Sequence, residues 1–293
     1  MEIRKVGMVG LGTMGAGIAQ LCIQAGFETV GREMTPELAE RGRSQIERFL
    51  ARSVEKGRLT GEERDAALAR LTLTTELADL AGCDIVIEAI VEQLEPKRAL
   101  FAALDGLLAP SAILATNTSA LSVTEIAAAT KRSDRVVGLH FFNPAPVLPL
   151  VEVVRGQLTD EAVALQVSAF AKAIGKDPIL CHDTPGFVVN RVLIPVLNDA
   201  VRVLDEARVT PEDLDKGCRY GLGWPLGPCA LIDLIGVDVQ VHASEALFAG
   251  FKEPRMAAPP RLVNMVNAGL LGRKSGQGFF RYDDKGNRLE DGA

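Results

Sequence analysis

A glycine-rich turn directly after the first apolar segment constrains the fold of this chain more than any other feature. Residues 6–9 form the apolar segment, and three glycines at the spacing G-x-G-x-x-G follow it: Gly10, Gly12 and Gly15. A helical stretch continues from Ala16. In such a unit the first glycine allows the tight turn, the second lets a pyrophosphate approach, and the third allows close helix packing. The chain is therefore predicted to begin with a dinucleotide-binding unit.

Residues around this turn form a predicted cofactor site. Thr13 and Met14 lie inside the turn, and Glu33 follows the next predicted strand. A carboxylate there would bind the ribose hydroxyls of NAD and repel the 2′-phosphate of NADP. The neighbouring Arg32 would instead attract that phosphate. We therefore predict NAD as the cofactor and keep NADP as the alternative.

Predicted strands alternate with helical stretches through the first part of the chain, which is typical of a mostly parallel sheet with helices on both faces. The predicted strands span residues 3–10, 27–30, 84–90, 112–116, 136–142, 150–154 and 177–181. Beyond them only helical periodicity continues, over 188–204 and 231–251, and Thr184 with Pro185 resembles a helix start. We predict an α/β fold: a Rossmann-like, mostly parallel sheet domain over residues 1–183, then a smaller all-helical domain over residues 184–293.

Composition narrows the classes of partner. A net charge of -6 and a pI near 5.3 argue against a nucleic-acid partner. No apolar run approaches the ~18 residues of a membrane span. The five cysteines are scattered, without a C-x-x-C pair and without metal-ligand spacing to the three histidines. We therefore expect a cytoplasmic protein that binds no nucleic acid, membrane or metal.

His140 and Glu152 form the candidate acid–base pair. His140 lies near the carboxyl end of the predicted strand 136–142, where ligands collect in open α/β sheets. Three prolines between residues 144 and 149 favour a rigid return into the strand 150–154, which carries Glu152. A carboxylate bonded to one ring nitrogen fixes the tautomer, and the other nitrogen accepts a proton from substrate. The alternative is an ordinary strand-end histidine and a solvated glutamate.

Polar residues at two other places are candidates for ligand contact. Asn117 and Ser119 follow the predicted strand 112–116 and would donate hydrogen bonds to the substrate or to the cofactor amide. The alternative for Ser119 is a helix cap before residues 121–129. Asn190 lies on an otherwise apolar turn at the domain boundary, so it would reach across a cleft or make an interhelical hydrogen bond.

Six segments resemble the L-3-hydroxyacyl-CoA dehydrogenase family, particularly its short, single-function 3-hydroxybutyryl-CoA members. They are residues 10–19, 117–119, 138–144, 151–154, 185–191 and 272–280. The likeness covers nearly the whole chain. Several motifs that occur in the same order along the chain indicate a family far more specifically than any single motif does. It implies a Rossmann-like domain and a helical domain through which two chains form a homodimer.

The resemblance also implies roles for individual residues. The histidine matching His140 is the family's general base, and the glutamate matching Glu152 is its partner. The residues matching Ser119 and Asn190 hold the substrate and complete the predicted catalytic set. We also assign Asn143, within the motif around His140, to the predicted substrate site.

Cofactor contacts from Glu92 and Lys97 are implied by the resemblance alone, because the residues themselves look like an ordinary solvated loop and helix start. The complete predicted cofactor site is Gly10, Gly12, Thr13, Met14, Gly15, Glu33, Glu92, Lys97 and Asn117.

A run of basic residues after Glu33 has two interpretations. It would bind the phosphates of CoA, or it forms a solvated face that pairs with interleaved glutamates. The basic residues are Arg41, Arg43, Arg48, Arg52, Lys56 and Arg58, and the glutamates are Glu37, Glu40, Glu47 and Glu55.

Together these features predict an oxidoreductase that interconverts a short-chain L-3-hydroxyacyl-CoA and the 3-ketoacyl-CoA. His140 would take the 3-hydroxyl proton as hydride leaves C3 for the nicotinamide, and Glu152 would stabilise the resulting cation. A gulonate-type sugar-acid dehydrogenase on the same scaffold would share the pair but need no CoA groove. A non-catalytic NAD-binding protein is a further alternative. The β-hydroxyacid dehydrogenases use a catalytic lysine, and no such pattern lies near Asn190.

Overall fold

The structure of the protein is a computed structural model that describes residues 2–289. These residues fall into two units, of which the first ends at Thr184 and the second begins at Pro185. Residue 1 and residues 290–293, at the outer ends of the two predicted domains, lie outside the described residues. No described helix is both long enough and apolar enough to cross a membrane.

One eight-stranded sheet organises the first unit. Its strands are β1 Lys5–Val9, β2 Glu28–Arg32, β3 Leu71–Thr74, β4 Ile85–Glu88, β5 Ile113–Thr116, β6 Val136–Phe141, β7 Leu150–Arg155 and β8 Asp177–His182. The order is β3-β2-β1-β4-β5-β6-β7-β8, and every neighbouring pair is parallel except β6 with β7. The strand order reverses beside β1, and ligands bind beyond the carboxyl ends of strands at such a point.

The predicted α/β class, with a mostly parallel sheet, is confirmed. The central strands β4, β5 and β6 are buried along their whole length, as expected of parallel strands covered on both faces. Strand β3 was not predicted, because it is a four-residue edge strand with only one fully buried side chain. The helices of this unit are α1 Thr13–Gln24, α2 Pro36–Glu55, α3 Gly61–Leu68, α4 Leu94–Leu107, α5 Val123–Ala127 and α6 Glu161–Ala173.

The second unit is helical, which confirms the predicted change of character along the chain. Its helices are α7 Val189–Glu206, α8 Pro211–Gly221, α9 Pro228–Ile235, α10 Val237–Phe251 and α11 Pro260–Asn267. Apolar side chains of α7, α9, α10 and α11 form a common core. The β-structure described in this unit consists of isolated bridges near the end of the chain.

Two helix boundaries predicted for the second unit are wrong. Thr184 and Pro185 do not open the first helix, which begins at Val189, because Gly186 and Phe187 take positive φ angles of 77° and 49°. Such angles interrupt a right-handed helix. The predicted helix over 231–251 is likewise two helices, α9 and α10, separated at Gly236, whose φ is 109°.

Candidate active site

The glycine turn at the end of β1 is open where a ligand would approach it. Gly10 takes a φ of 87°, and a Cβ at Gly15 would overlap the Gly10 oxygen. A Cβ at Gly12 would meet no described atom within 4 Å. Gly12 caps α1 without a side-chain hydrogen bond, and Thr13 and Met14 are the first residues of that helix. The main-chain amides of this helix start can therefore receive an anionic group.

The Glu33 carboxylate is fixed at this turn. It accepts hydrogen bonds from the main-chain nitrogens of Leu11, at 2.5 Å, and Met34, at 3.1 Å. The neighbouring Arg32 directs its Nε to the main-chain oxygen of Thr75, at 3.1 Å. The acid that the sequence pointed to therefore lies against the glycine turn, whereas the arginine is bonded to the segment after β3.

His140 and Glu152 lie directly opposite each other across the antiparallel pair β6–β7. The His140 Nδ1 lies 2.7 Å from the Glu152 Oε2, and the two residues are 4% and 1% exposed. The predicted proximity is confirmed, and the alternative of a solvated glutamate is wrong because Glu152 is buried. The carboxylate orients the imidazole and can stabilise its protonated form.

The connector between these two strands, residues 142–149, is held by a buried lysine. Lys176 donates from its Nζ to the main-chain oxygens of Ala145, at 2.5 Å, and Leu148, at 2.8 Å. Burial lowers the pKa of Lys176. Helix α1 packs against the same connector, since a Cβ at Gly17 would lie 2.9 Å from Pro146 Cδ. The connector is therefore fixed from two sides.

Asn117 joins the ends of three neighbouring strands. Its main-chain nitrogen donates to the oxygen of Glu88 at 2.8 Å, at the end of β4. Its side-chain Oδ1 accepts a hydrogen bond from the nitrogen of Phe141 at 2.9 Å, one residue after His140. This side chain therefore helps to hold the strand end that carries the histidine.

Glu92 organises the segment that follows Asn117. Its Oε1 accepts hydrogen bonds from Thr118 Oγ1 at 2.6 Å, Ser119 N at 2.7 Å and Ala120 N at 3.1 Å. Its Oε2 lies 3.2 Å from the Lys97 Nζ. Burial raises the pKa of Glu92, but the Lys97 charge and these hydrogen bonds outweigh it and hold the pKa below its usual 4.5.

Behind Glu92 lies a fully buried ion pair. The Lys97 Nζ contacts the Glu88 Oε1 at 2.5 Å, and the two side chains are 1% and 0% exposed. Glu88 also accepts hydrogen bonds from Thr116 Oγ1 and Ile90 N, both at 2.7 Å. We call Glu88, Lys97 and Glu92 the charged cluster. Lys97 thus lies between two carboxylates. Its predicted contact with the cofactor stays a prediction.

The helix-cap alternative for Ser119 is wrong. Helix α5 begins later than predicted, and Ser122 caps it by accepting a hydrogen bond from Glu125 N at 3.2 Å. Asp183 in turn accepts hydrogen bonds from Ser122 Oγ and Thr124 N, both at 2.7 Å. Ser119 is thus not the cap of α5, and its predicted role toward the substrate stays a prediction.

A cleft of about 500 Å³ lies between the C-terminal part of α2 and the connector after His140. Among the residues that line it are Phe49, Arg52, Lys56, Arg58 and Asn143. No described carboxylate forms an ion pair with these three cations. Each of the two interpretations of the basic run therefore applies to part of it. Arg43 pairs with Glu47 at 3.0 Å, whereas the other group, Arg52, Lys56 and Arg58, faces the cleft.

Asn190 belongs to the second unit, where it is the second residue of α7. The unit around it begins with the turn at Gly186, where Arg191 N donates to the Gly186 oxygen at 2.9 Å. The predicted contact of Asn190 with the substrate stays a prediction.

Comparison with known proteins matches both units to one family. Residues 5–184 match the model for the 3-hydroxyacyl-CoA dehydrogenase NAD binding domain, and residues 186–282 match the model for the C-terminal domain. The chain belongs to the 3-hydroxyacyl-CoA dehydrogenase family. The predicted family and the predicted class of enzyme, an oxidoreductase with an NAD-type nicotinamide cofactor, are confirmed.

Relatives within the 3-hydroxyacyl-CoA dehydrogenase family resemble the chain over nearly its whole length. A protein of Mycobacterium tuberculosis named 3-hydroxybutyryl-CoA dehydrogenase is 47% identical, covering 96% of this chain and 99% of its own. The mitochondrial hydroxyacyl-coenzyme A dehydrogenase of Rattus norvegicus is 38% identical, covering 96% and 91%. The crystal structure of an (S)-3-hydroxybutyryl-CoA dehydrogenase from Ralstonia eutropha superposes with a TM-score of 0.94 at 41% identity, covering 97% and 100%.

The dehydrogenase structure also contains two charged residues that the sequence interpretation missed, Glu88 and Lys176. Glu88 ends the otherwise apolar strand β4, and Lys176 directly precedes β8. A lone acid at the carboxyl end of a buried strand was a usable signal for Glu88. Lys176 offered none, because its carbonyl partners lie in a connector that is distant in the sequence.

Proposed function

We propose that this protein interconverts a short-chain L-3-hydroxyacyl-CoA, with 3-hydroxybutyryl-CoA as the preferred substrate, and the 3-ketoacyl-CoA. The observation that carries the proposal is the buried pair of His140 and Glu152, at 2.7 Å, on the same sheet edge as the glycine turn. The names of the relatives support the same reaction.

The residues of the first unit fit a nicotinamide dinucleotide. The open main chain at Gly12 and the helix start without a side-chain cap suit a pyrophosphate, and Glu33 suits ribose hydroxyls. When bound, the oxidised nicotinamide supplies an acceptor for the hydride of C3. The residues that would hold the cofactor are Gly10, Gly12, Thr13, Met14, Gly15, Glu33, Glu92, Lys97 and Asn117, and Lys97 also contacts the Glu92 carboxylate.

NAD is the proposed cofactor rather than NADP. The Glu33 carboxylate is fixed at the turn by two main-chain nitrogens, so a 2′-phosphate would meet a negative charge there. Arg32, the residue that could attract this phosphate, donates to the Thr75 oxygen.

His140 is the proposed general acid and base. Its Nδ1 is engaged with Glu152, so the proton exchanged with the substrate passes through Nε2. In the oxidation His140 accepts the proton of the 3-hydroxyl, and Glu152 stabilises the imidazolium that forms. In the reduction the imidazolium returns the proton to the alkoxide. Ser119, Asn143 and Asn190 are the proposed substrate contacts.

The cleft beside α2 is the proposed binding place for the CoA part of the substrate. Arg52, Lys56 and Arg58 line it and can bind phosphates, while Phe49 offers an apolar surface. A sugar acid carries one carboxylate and no phosphate, so it would not need three cations in its binding site. The cleft therefore favours the CoA substrate over a gulonate-type one.

We also propose a cytoplasmic homodimer in which the first domain binds the cofactor and the helical domain carries the dimer contact. Large apolar side chains of the helical unit are strongly exposed, as at Val192, Tyr220 and Leu222 with 64%, 74% and 68%. These side chains are the candidates for a surface that another chain covers. All five cysteines are unpaired, as expected in a reducing compartment.

The deciding experiment follows absorbance at the reduced-nicotinamide band. The purified protein is mixed with acetoacetyl-CoA and NADH, with acetoacetyl-CoA and NADPH, with free acetoacetate and NADH, and with gulonate and NAD. We expect turnover with acetoacetyl-CoA and NADH, at least tenfold above NADPH. Turnover with gulonate alone, or equal turnover of free acetoacetate, would overturn the CoA assignment.

Matched variants separate the parts of this proposal. Glu33→Ala should weaken NADH binding and narrow the preference over NADPH, without changing kcat at saturating cofactor. Arg52→Ala should raise the KM for acetoacetyl-CoA, whereas Arg64→Ala, a change at a half-exposed arginine of α3, should leave it unchanged. Analytical ultracentrifugation tests the dimer, and a concentration-independent monomer would contradict it.

A further inference from the structure

We propose that Glu88 is a positioning residue of the active site, which holds the segment 118–120, and with it Ser119, through Lys97 and Glu92. The inference rests on the proposed function, in which Ser119 contacts the substrate. Glu88 is 0% exposed, so it acts only through its protein contacts. No direct contact between Glu88 and a ligand is required.

The first step is the fixed position of the Glu88 carboxylate. It accepts hydrogen bonds from Thr116 Oγ1, at the end of β5, and from Ile90 N, just after β4. Two strand ends therefore hold this carboxylate in place. A buried carboxylate in this position needs a cation, and Lys97 supplies it from the first turn of α4.

The second step is the competition for the Lys97 ammonium. It contacts the Glu88 Oε1 at 2.5 Å and the Glu92 Oε2 at 3.2 Å. Glu88 thus fixes where the ammonium lies, and the ammonium fixes one oxygen of Glu92. Without the negative charge of Glu88, Lys97 is free to move toward Glu92 and to turn its carboxylate.

The third step joins Glu92 to the main chain around Ser119. The other oxygen of Glu92 accepts from Thr118 Oγ1, Ser119 N and Ala120 N. Three donors on one oxygen require one orientation of the carboxylate, so a turn of Glu92 lengthens these bonds. The main-chain position of Ser119 therefore depends on Glu88 through two intervening side chains, those of Lys97 and Glu92.

A different contact holds the chain just downstream. Asp183 accepts from Ser122 Oγ and Thr124 N, so the start of α5 is fixed independently of the charged cluster. A change at Glu88 should consequently loosen residues 118–120 and leave α5 in place. This confinement distinguishes positioning from a general loss of stability.

The test is a double-mutant cycle with Glu88→Gln and Ser119→Ala, read as kcat/KM for acetoacetyl-CoA at saturating NADH, so that a change in cofactor affinity through Glu92 does not enter. Residues of one network couple, whereas independent residues add, so we expect Glu88→Gln to cost about tenfold when Ser119 is present and under about twofold when it is alanine. Equal costs in both backgrounds, no cost of Glu88→Gln, or a cost of Glu88→Gln while Ser119→Ala costs nothing would each overturn the proposal.

A matched control makes the same change at an exposed glutamate of α4, the helix that carries Lys97. Glu95, which pairs with Arg98, is 79% exposed, and Glu95→Gln should change kcat/KM by less than about twofold. If Glu88→Gln does not fold, the variant Glu88→Gln/Lys97→Met removes both buried charges at once and takes its place in the cycle.

Amide hydrogen exchange gives a readout that does not depend on turnover. In Glu88→Gln the amides of Ser119 and Ala120 should exchange about tenfold faster, while those of α5 keep their wild-type rates. Unchanged exchange at these two amides, or faster exchange throughout the unit, would overturn the proposal. If wild-type protein did not reduce acetoacetyl-CoA, the proposed function would fail, and exchange would still decide the positioning.

Discussion

Two neighbouring parts of the candidate active site are held in different ways. The pair of His140 and Glu152 is set by the register of β6 and β7, in which the two residues are direct partners. The segment around Ser119 is set by side chains, since its amides bond to Glu92, which contacts Lys97, which contacts Glu88.

The difference predicts how each part responds to substitution. Directly opposite residues of an antiparallel pair are close whatever their side chains, because main-chain hydrogen bonds fix their distance. A change at His140 or Glu152 should therefore alter the chemistry and keep the shape. A change in the charged cluster should alter the shape and stability first, because each member depends on the charge of another.

The largest effect is expected for His140→Gln. Turnover of acetoacetyl-CoA should fall by about 10³- to 10⁴-fold, since the general acid and base is lost. The dissociation constant for NADH and the thermal midpoint should stay close to wild type. Steady-state kinetics measure the turnover, and calorimetry measures the dissociation constant and the thermal midpoint. Near-full turnover of the variant would refute the assignment of His140 as the base.

The next effect is expected for Lys97→Met, on stability. Removing one partner of a buried ion network should lower the free energy of unfolding by about 3–5 kcal/mol, because Glu88 keeps an uncompensated charge. Circular dichroism in urea is the suitable probe. Tryptophan fluorescence would report on the second unit, because that unit contains the single tryptophan, Trp224. Lys172→Met, at an exposed lysine of α6, is the control and should cost under about 0.5 kcal/mol.

The variant Glu88→Gln/Lys97→Met sharpens this result. It removes the cation and one carboxylate together, so it should be more stable than Lys97→Met alone. If the double variant were less stable than the single one, the buried charge of Glu88 would not be the cause of the loss.

A smaller effect is expected for Glu152→Gln. The amide keeps a hydrogen bond to the His140 Nδ1 but carries no charge to stabilise the imidazolium. Turnover should fall by about 10- to 100-fold, which corresponds to about 1.4–2.8 kcal/mol of lost charge stabilisation in the transition state. Kinetics of the single variants and of the double variant test this, and additive losses would contradict the view that the residues act as a pair.

The smallest effect is a pH dependence of stability from Glu92. Its folded pKa lies below its usual 4.5, so it contributes stability above that value and loses it as the pH falls through the folded pKa. The difference in urea midpoint between wild type and Glu92→Gln should therefore be largest near neutral pH and shrink in acid. A difference that grew on acidification would show the opposite sign for this shift.

Local patterns were sufficient for the parts of the site whose chemistry is written in short segments. The glycine spacing, Glu33 after the second strand, and a histidine near the end of an apolar strand all follow from the order of residues along the chain. They could be predicted because a strand end, a turn and a helix start are determined within about ten residues by propensity and hydrophobic pattern. The pairing of His140 with Glu152 followed from a single short connection.

Other features depend on contacts between distant segments and were missed or misplaced. The start of α7 was misplaced because positive φ angles at Gly186 and Phe187 replace the helix that Thr184 and Pro185 suggested. Helices α9 and α10 are separate because Gly236 takes a φ of 109°. From the sequence, Gly236 could only be interpreted as a small residue within an apolar helical pattern.

The sequence by itself determined the α/β class, the glycine turn with its acid, and the strand that carries His140. The tertiary structure alone decided that Glu88 and Lys97 are buried together, that Glu92 holds the amides of Ser119 and Ala120, and that Lys176 holds the connector after His140. The physical reason is that a charged residue is compatible with a surface or a core position until its partners are known. Those partners come from strands and helices that only the folded sheet brings together.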